Sequence, residues 1–306
     1  MNSTSPLKDR IERIKSTFDI HAILDRQAQD SAQIARYYRA NRLIYKLFNS
    51  SAGFVHMAIS HDGVFKAADF LEQARIVEAY IVKAKAHSVL ELATGKAANV
   101  TYLAEKHPDV QFYGLDLPNG QLPRRPANAA NLKLQAGDFH DLQCYENNSI
   151  ELVFIVEALC HARSKPAVMA EVYRVLKPGG YFIVFDGYTS KPSSEMNPDE
   201  TLASNLIYKS MMVHAENHHY ADFRKWLQAA GLTMVEEKDL SQAIMPNVKR
   251  FERQSKKVFN HPVFARLLKT VQPEEVTANT IAGFLMPLTL EAGLHQYWLT
   301  VGQKQN

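Results

Sequence analysis

Residues 88–117 read SVLELATGKAANVTYLAEKHPDVQFYGLDL. An apolar run, SVLEL, is followed by small residues, then the helix-like NVTYLAEKHP, then a second apolar run, VQFYGLDL. Near-continuous apolar strands alternating with helices predict a parallel sheet covered on both faces. The pattern continues outward. LKLQAGDF (132–139), IELVFIVEAL (150–159) and YFIVFDGY (181–188) are further strands, the last two separated by the helix-like PAVMAEVYRVLKPGG. That segment ends in a basic residue, a proline and two glycines, the chemistry of a helix stop. YADFRKWLQAAGL reads as a helix ending in glycine, TMVEEKDL as a sixth strand, a helical stretch follows from about 241 to 272, and HQYWLTVGQ closes the chain as a seventh strand.

Upstream, the pattern is helical. Ser5 before Pro6 is an N-cap signal, and Ile11, Ile14, Phe18 and Ile23 recur on or near one face. SAQIARYYRANRLIYKLF is a second helix, SSAGFVHMAISHDGVF a loop, and KAADFLEQARIVEAYIVKAKA a further helix. We read residues 1–86 as an N-terminal helical cap and 87–306 as the sheet domain. An insertion at about 189–220 is long enough to serve as a helical lid or a plain surface helix.

Composition narrows the class. A chain of 306 residues, 46% hydrophobic, can bury one sizeable core. Net charge is +3, from 35 basic and 32 acidic residues. With no dense basic run, a nucleic-acid partner is not expected. Cys144 and Cys160, the two cysteines, fit a reducing compartment. No apolar h-region and no run of about 18 apolar residues is present, so the expectation is a soluble cytoplasmic protein without a membrane span. Homo-oligomerisation is left open.

Ligands of open parallel sheets bind outside the carboxyl ends of the strands, where strand order reverses. The first strand ends in ELATGKAAN and the second in GLDLP; Asp116 follows Gly95 by 21 positions, close to the roughly 20-residue spacing of an acid that binds ribose hydroxyls. The G-x-G-x-x-G of a dinucleotide site is absent, with Gly95 flanked by Ala93 and Ala97. A nucleoside ligand without phosphates suits such a loop better than a dinucleotide does.

ELATGKA, GLDL, AGDF, VEALCHA and LKPGGYFIVFD, in this order, resemble the motifs of class I S-adenosylmethionine-dependent methyltransferases over roughly residues 30–304. The nearest form is the sterol C-methyltransferase branch with its bacterial terpenoid relatives. VEALCHA resembles that branch's Glu-Ala-x-Cys-His-Ala signature, Tyr37-Tyr38 upstream of GFVHMAIS its N-terminal segment, and EVYRVLKPGG its helix and turn. Ala93 and Ala97 stand where the family's first loop usually carries glycine. The resemblance implies a Rossmann-like, doubly wound, mostly parallel seven-stranded sheet with an antiparallel last strand. It further implies an S-adenosylmethionine site formed by Glu91, Ala93, Thr94, Gly95, Asn99, Asp116, Leu117, Gly137, Asp138, Phe139 and Val156. In that site Glu91 and Gly95 would meet the methionine portion, Asp116 the ribose and Asp138 the adenine amino group. Phe139 would pack on the ring, and Val156 and Glu157 would border the sulfonium. Glu91 as a cap of the following turn, and Asp138 as a helix N-cap, are alternative readings.

Attack on a sulfonium methyl by an alkene carbon generates a carbocation that must be stabilised and then lose a proton. A carboxylate can do both, and aromatic faces help. Glu157, at the end of the fourth strand, is the candidate base, with His161 and Tyr38 as further catalytic candidates. Tyr37, Tyr45, Phe54, His56, His218 and His219 are candidates for substrate binding. Sterol-like resemblance implies an apolar alkene, either sterol-like or a prenyl diphosphate. VHAENHHYADFR (213–224) carries His214, Glu216, His218, His219 and Arg224, and Arg124 and Arg125 are another cationic pair. The histidine segment lacks H-E-x-x-H zinc spacing and reads either as a solvated lid face or as a diphosphate or Mg2+ contact. Mg2+ is a candidate cofactor only with a diphosphate substrate. Two other readings stay open: an O- or N-methyltransferase of a natural product, and a non-catalytic scaffold of the same fold. No Asn/Asp-Pro-Pro-aromatic element of the nucleic-acid methylating type follows the fourth strand.

Overall fold

The computed structural model describes residues 5–25, 30–44, 49–50, 52–118, 120–123, 129–214, 218–261, 265 and 274–306, with the side chains of 42–44 and 274–276 excepted. Tyr45, Phe48, Arg124, Arg125 and Glu216 lie outside the described residues.

Seven strands form one sheet: β1 (Ser88–Leu92), β2 (Gln111–Asp116), β3 (Leu132–Ala136), β4 (Ile150–Val156), β5 (Leu176–Thr189), β6 (Leu232–Asp239) and β7 (His295–Lys304). Their order is β3-β2-β1-β4-β5-β7-β6. β7 runs antiparallel to both β5 and β6, while β1 to β5 pair in parallel. Strand order reverses between β1 and β4, which opens a crevice at their carboxyl ends.

Apolar residues alternate across the sheet as the pleat requires. On one face Val89, Phe112, Leu152, Phe154, Ile183 and Leu299 pack with α4 (Glu72–Ala84) and α5 (Ala98–Lys106). On the other, Leu90, Leu115, Val153, Ile155 and Phe182 pack with α6 (Lys165–Val175) and α8 (Tyr220–Ala229). This double coverage explains why the central strands read as continuous apolar runs.

A separate helical layer lies over the strand ends. It comprises α1 (Pro6–Thr17), α2 (Ile20–Leu24), α3 (Ser31–Ile44), α7 (Pro198–Ser210), α9 (Ser241–Phe259) and α10 (Glu274–Glu291). Ile11, Ile14, Phe18 and Ile23 are all buried in its core, against Leu206, Phe259, Ile281 and Leu285. Arg10 ties α1 to this layer through Glu252 and the Phe284 carbonyl. The segment at 189–220 contributes α7, whose Ala203, Leu206 and Ile207 are buried in the same core. Sequence periodicity ends its last helical stretch near 272; in the structure α9 stops at Phe259 and α10 begins at Glu274. From Thr277 to Leu290, α10 is apolar nearly all round because α7 and α9 enclose it, and such a helix has no polar face to set a period.

The loop after β1 is conformationally costly. Ala93 and Ala97 sit at φ 53° and 60°, in the left-handed region, together with Gly95 at 56°. That conformation costs an L-residue about 1–2 kcal/mol. Replacing alanine by glycine recovers this but forfeits about 0.5–1 kcal/mol of chain entropy. At buried Ala97 it also forfeits a methyl group worth about 0.8 kcal/mol. Ala93→Gly is therefore expected to stabilise by about 0.5–1 kcal/mol and Ala97→Gly to be near neutral in urea unfolding.

Candidate active site

A cavity of about 610 Å³ lies between the strand ends and the helical layer. Its walls include Ala93, Gly95, Asp116, Leu117, Gly137, Asp138, Phe139 and Val156 from the sheet. Tyr37, Tyr38, Asn279 and Met286 contribute from the helices, His56 and Met57 from the loop before α4, and Glu157 from the end of β4. Several residues implied by motif resemblance are thus brought together.

Others are not. Glu91 is 3% exposed and does not line the cavity. Its carboxylate accepts from Thr94 Oγ1, from Asn99 Nδ2 at 3.2 Å and from Val100 N at 3.3 Å. Glu91 therefore braces the loop and caps α5 from behind, with Thr94 and Asn99 as its partners. Burial raises its pKa to about 7, against these hydrogen bonds. Phe54 also lies off the cavity, its ring stacked on Phe70 at 5.9 Å. His219 donates to the Ser190 carbonyl at 3.2 Å and does not line the cavity, whereas His218 does. Arg224 pairs with Glu237. Among the described residues no group of three or more His, Cys, Asp or Glu is arranged to hold a metal ion, and no helix is long and apolar enough to cross a membrane.

At the crevice, Gly95 shows where a ligand fits. A Cβ built on it would meet no atom of the other described residues within 4 Å, and Gly95 lines the cavity, so the space above the loop belongs to it. Asp116 ends β2, accepts from Leu117 N at 2.8 Å and has its pKa raised by burial. Gly137 lets the chain pass close to Leu115, which a Cβ would approach to 2.7 Å. Asp138 is heavily engaged: it accepts from Ser31 Oγ at 2.9 Å, from Arg163 at 3.2 Å and from His140. His140 above all, with Ser31, holds its carboxyl well below the usual range despite partial burial. Through Ser31, the first residue of α3, the carboxylate also fastens the helical layer to the sheet.

Glu157 follows β4 with φ 49°, a left-handed conformation for a non-glycine residue. Strain of this kind gathers at functional positions. Its amide donates to the Phe185 carbonyl at 2.8 Å. One carboxylate oxygen, Oε1, accepts both from Met57 N at 2.7 Å and from the Tyr297 hydroxyl at 2.8 Å. Oε2 accepts no hydrogen bond from any described residue, and the side chain lines the cavity. Burial raises the pKa to about 7, opposed by the two hydrogen bonds.

His161 does not reach Glu157. Its Nδ1 lies 2.8 Å from the Met212 carbonyl and its Nε2 2.8 Å from the Tyr38 hydroxyl. A carbonyl cannot donate, so Nδ1 carries the proton and Nε2 accepts from Tyr38. Burial lowers the pKa to about 4, which fixes His161 as a neutral support for the Tyr38 ring. Tyr37 donates to Asn279 Oδ1 at 2.6 Å, joining α3 to α10. His56, also on the cavity wall, donates from Nδ1 to the Met57 carbonyl at 3.0 Å and is kept neutral by burial.

Tyr297, Met57 and Asn279 were not singled out in the sequence. The available signal for Tyr297 was its place on a closing strand whose alternate residues must face the strand ends. No local pattern marks the other two.

Residues 90–184 match the methyltransferase domain family. That stretch has the sequence of a methyltransferase domain. A protein of Talaromyces variabilis described as an S-adenosyl-L-methionine-dependent Diels-Alderase is 30% identical over 174 residues, covering 53% of this chain and 59% of that protein. The sterol 24-C-methyltransferase of Kluyveromyces lactis is 31% identical over 118 residues, covering 37% of this chain and 30% of that enzyme. This chain thus spans less than two thirds of either relative. A solved geranyl diphosphate methyltransferase, in complex with GPP and sinefungin, superposes with a TM-score of 0.65 at 15% identity, covering 90% of this chain and 98% of that one. That likeness shows the shared Rossmann-like fold.

Proposed function

We propose that the protein binds S-adenosylmethionine over Gly95 and Asp116 and methylates an alkene carbon of an apolar isoprenoid, with Glu157 as general base. The observation that carries this reading is Glu157 Oε2. It is a carboxylate oxygen without a hydrogen bond from the described residues, on a half-buried side chain that lines the cavity next to the strand ends and whose pKa burial raises to about 7. The cofactor fits the residues present: open space above Gly95, and the Asp116 carboxylate beside it. When bound, it supplies an electrophilic methyl group on a sulfonium. Bond formation from the alkene leaves positive charge on the substrate. Ionised Glu157 stabilises that charge, and its Oε2 then accepts the proton lost from the neighbouring carbon, which restores a double bond. Met57 N and Tyr297 hold Oε1, which fixes the rotamer and leaves Oε2 for that proton. Tyr38, held by His161, offers an aromatic face to the cation. Sterol 24-C-methyltransferase and geranyl diphosphate methyltransferase among the relatives support the choice of substrate class.

One observation favours a second reading. The relative from Talaromyces variabilis is described as a Diels-Alderase. In that case the cavity would fold a polyene for cyclisation, with the cofactor bound but not consumed. Incubation with isoprenoid alkenes, with S-adenosylmethionine or S-adenosylhomocysteine, separates the two. Methylation requires S-adenosylmethionine and gives a product one CH2 heavier. A rearranged product of unchanged mass, formed with either cofactor, would replace the first reading by the second.

A further inference from the structure

The cavity has a second polar region that the chemistry at Glu157 leaves unused. Tyr188, Tyr208, His218 and His295 all line it. Their rings adjoin, with centroids 5.0 Å apart for Tyr188 and His218, 5.3 Å for Tyr208 and His218, and 5.4 Å for Tyr208 and His295. The backbone brings them together: Thr189 on β5 pairs with His295 on β7, and the Thr189 amide donates to the His218 carbonyl. Tyr188, His218 and His295 are 1%, 4% and 8% exposed.

Their polar atoms are unmatched. Both ring nitrogens of His295, Nδ1 of His218 and the hydroxyl of Tyr188 have no hydrogen-bond partner among the described residues. Buried polar groups are nearly always satisfied, so four such atoms, closed to water as they stand but carried by side chains that line one stretch of cavity wall, leave hydrogen bonds that a polar group of a ligand satisfies when the rings turn toward it. Burial keeps both imidazoles neutral, and a neutral imidazole offers one donor and one acceptor. Asp186 also lines this part of the cavity, and the charge of nearby Lys165 is set against it. The region thus presents hydrogen bonds without net positive charge, which suits an alcohol or ketone and disfavours a diphosphate.

We infer that Tyr188, His218 and His295 form a subsite for an uncharged oxygen of the acceptor, so that the substrate is an isoprenoid alcohol or ketone. The inference rests on the reading that the cavity takes an apolar alkene. His295 and Tyr297 lie two residues apart on one face of β7, about 7 Å along the strand, and Tyr297 holds Glu157. Oxygen and reacting alkene would then be separated by a few bonds.

The test is calorimetric titration of the protein with S-adenosylhomocysteine present, using geraniol, myrcene and geranyl diphosphate as probes. Geraniol is expected to bind about tenfold more tightly than either of the others, the value of one good hydrogen bond. Tyr188→Phe removes a hydroxyl and no volume, and should reduce the preference over myrcene severalfold while leaving myrcene affinity unchanged. In the wild-type protein, geraniol should also shift the imidazole 15N signals of His295, a readout that needs no variant. Equal binding of geraniol and myrcene, tightest binding of geranyl diphosphate, or no binding of any probe overturns the inference. Because no turnover is needed, a geraniol preference without methyl transfer would sink the proposed reaction and keep the subsite. Methylation without that preference would do the reverse.

Discussion

Glu157→Gln is expected to lower kcat by about 10²–10⁴-fold, the usual worth of a general base, while cofactor affinity stays unchanged. A Gln carbonyl can replace Oε1 as acceptor for Met57 N and Tyr297, so the geometry survives and proton acceptance is lost. In the wild-type enzyme, activity should rise with pH through about 7, as Glu157 ionises, and then level off. Stability should move the opposite way. The folded pKa of about 7 lies above the ordinary 4.5, so between these values the folded state holds a proton that the unfolded state has released. Stability therefore falls as pH rises from about 4.5 to 7, and the cost is complete above 7. Removing it should make Glu157→Gln more stable than wild type at pH 8, by up to about 3 kcal/mol, and indistinguishable from it near pH 4. A nearly inactive variant that is more stable is the pattern expected of a catalytic carboxylate. An active Glu157→Gln would assign the carboxylate to loop positioning and leave methyl transfer to a heteroatom as the better account.

The second large effect concerns the cofactor. Gly95→Leu places a side chain in a direction where no atom of the other described residues lies within 4 Å of the added Cβ. The free protein should tolerate it at a cost of about 1–2 kcal/mol, because φ is 56°. Affinity for S-adenosylhomocysteine should fall at least about 100-fold in calorimetry, corresponding to roughly 3 kcal/mol. Chemical denaturation would report the stability cost separately. Unchanged affinity would mean that the ligand does not sit over Gly95.

The sheet was legible because strands buried on both faces announce themselves as apolar runs, and the crevice followed from their order. The loop's backbone was not read from the sequence: Ala93 and Ala97 occupy left-handed conformations, at the positions where the resemblance expects glycine. Glu157 could be found because it ends a central strand. What holds it could not, since Met57 and Tyr297 lie 100 and 140 residues away. The same limit applies to His161, whose tautomer is set by the carbonyl of Met212, 51 residues on. Glu91 offered two roles, and in the structure its local hydrogen bonds to Thr94, Asn99 and Val100 are those of a cap. Phe54 illustrates a different limit: an aromatic side chain in a loop does not reveal whether it faces ligand or a small core. Helix α10 escaped notice because enclosure on all sides removes the periodicity by which helices are recognised.

In the proposed reaction a methyl group passes to carbon while Glu157 takes a proton. The most direct measurement uses S-adenosylmethionine with a deuterated methyl group, a panel of isoprenoid alkenes, and mass and carbon NMR analysis of the product. The account predicts the intact CD3 group on a former alkene carbon, with a double bond retained and one substrate hydrogen lost. Label on oxygen or nitrogen, or a product without label, would contradict it.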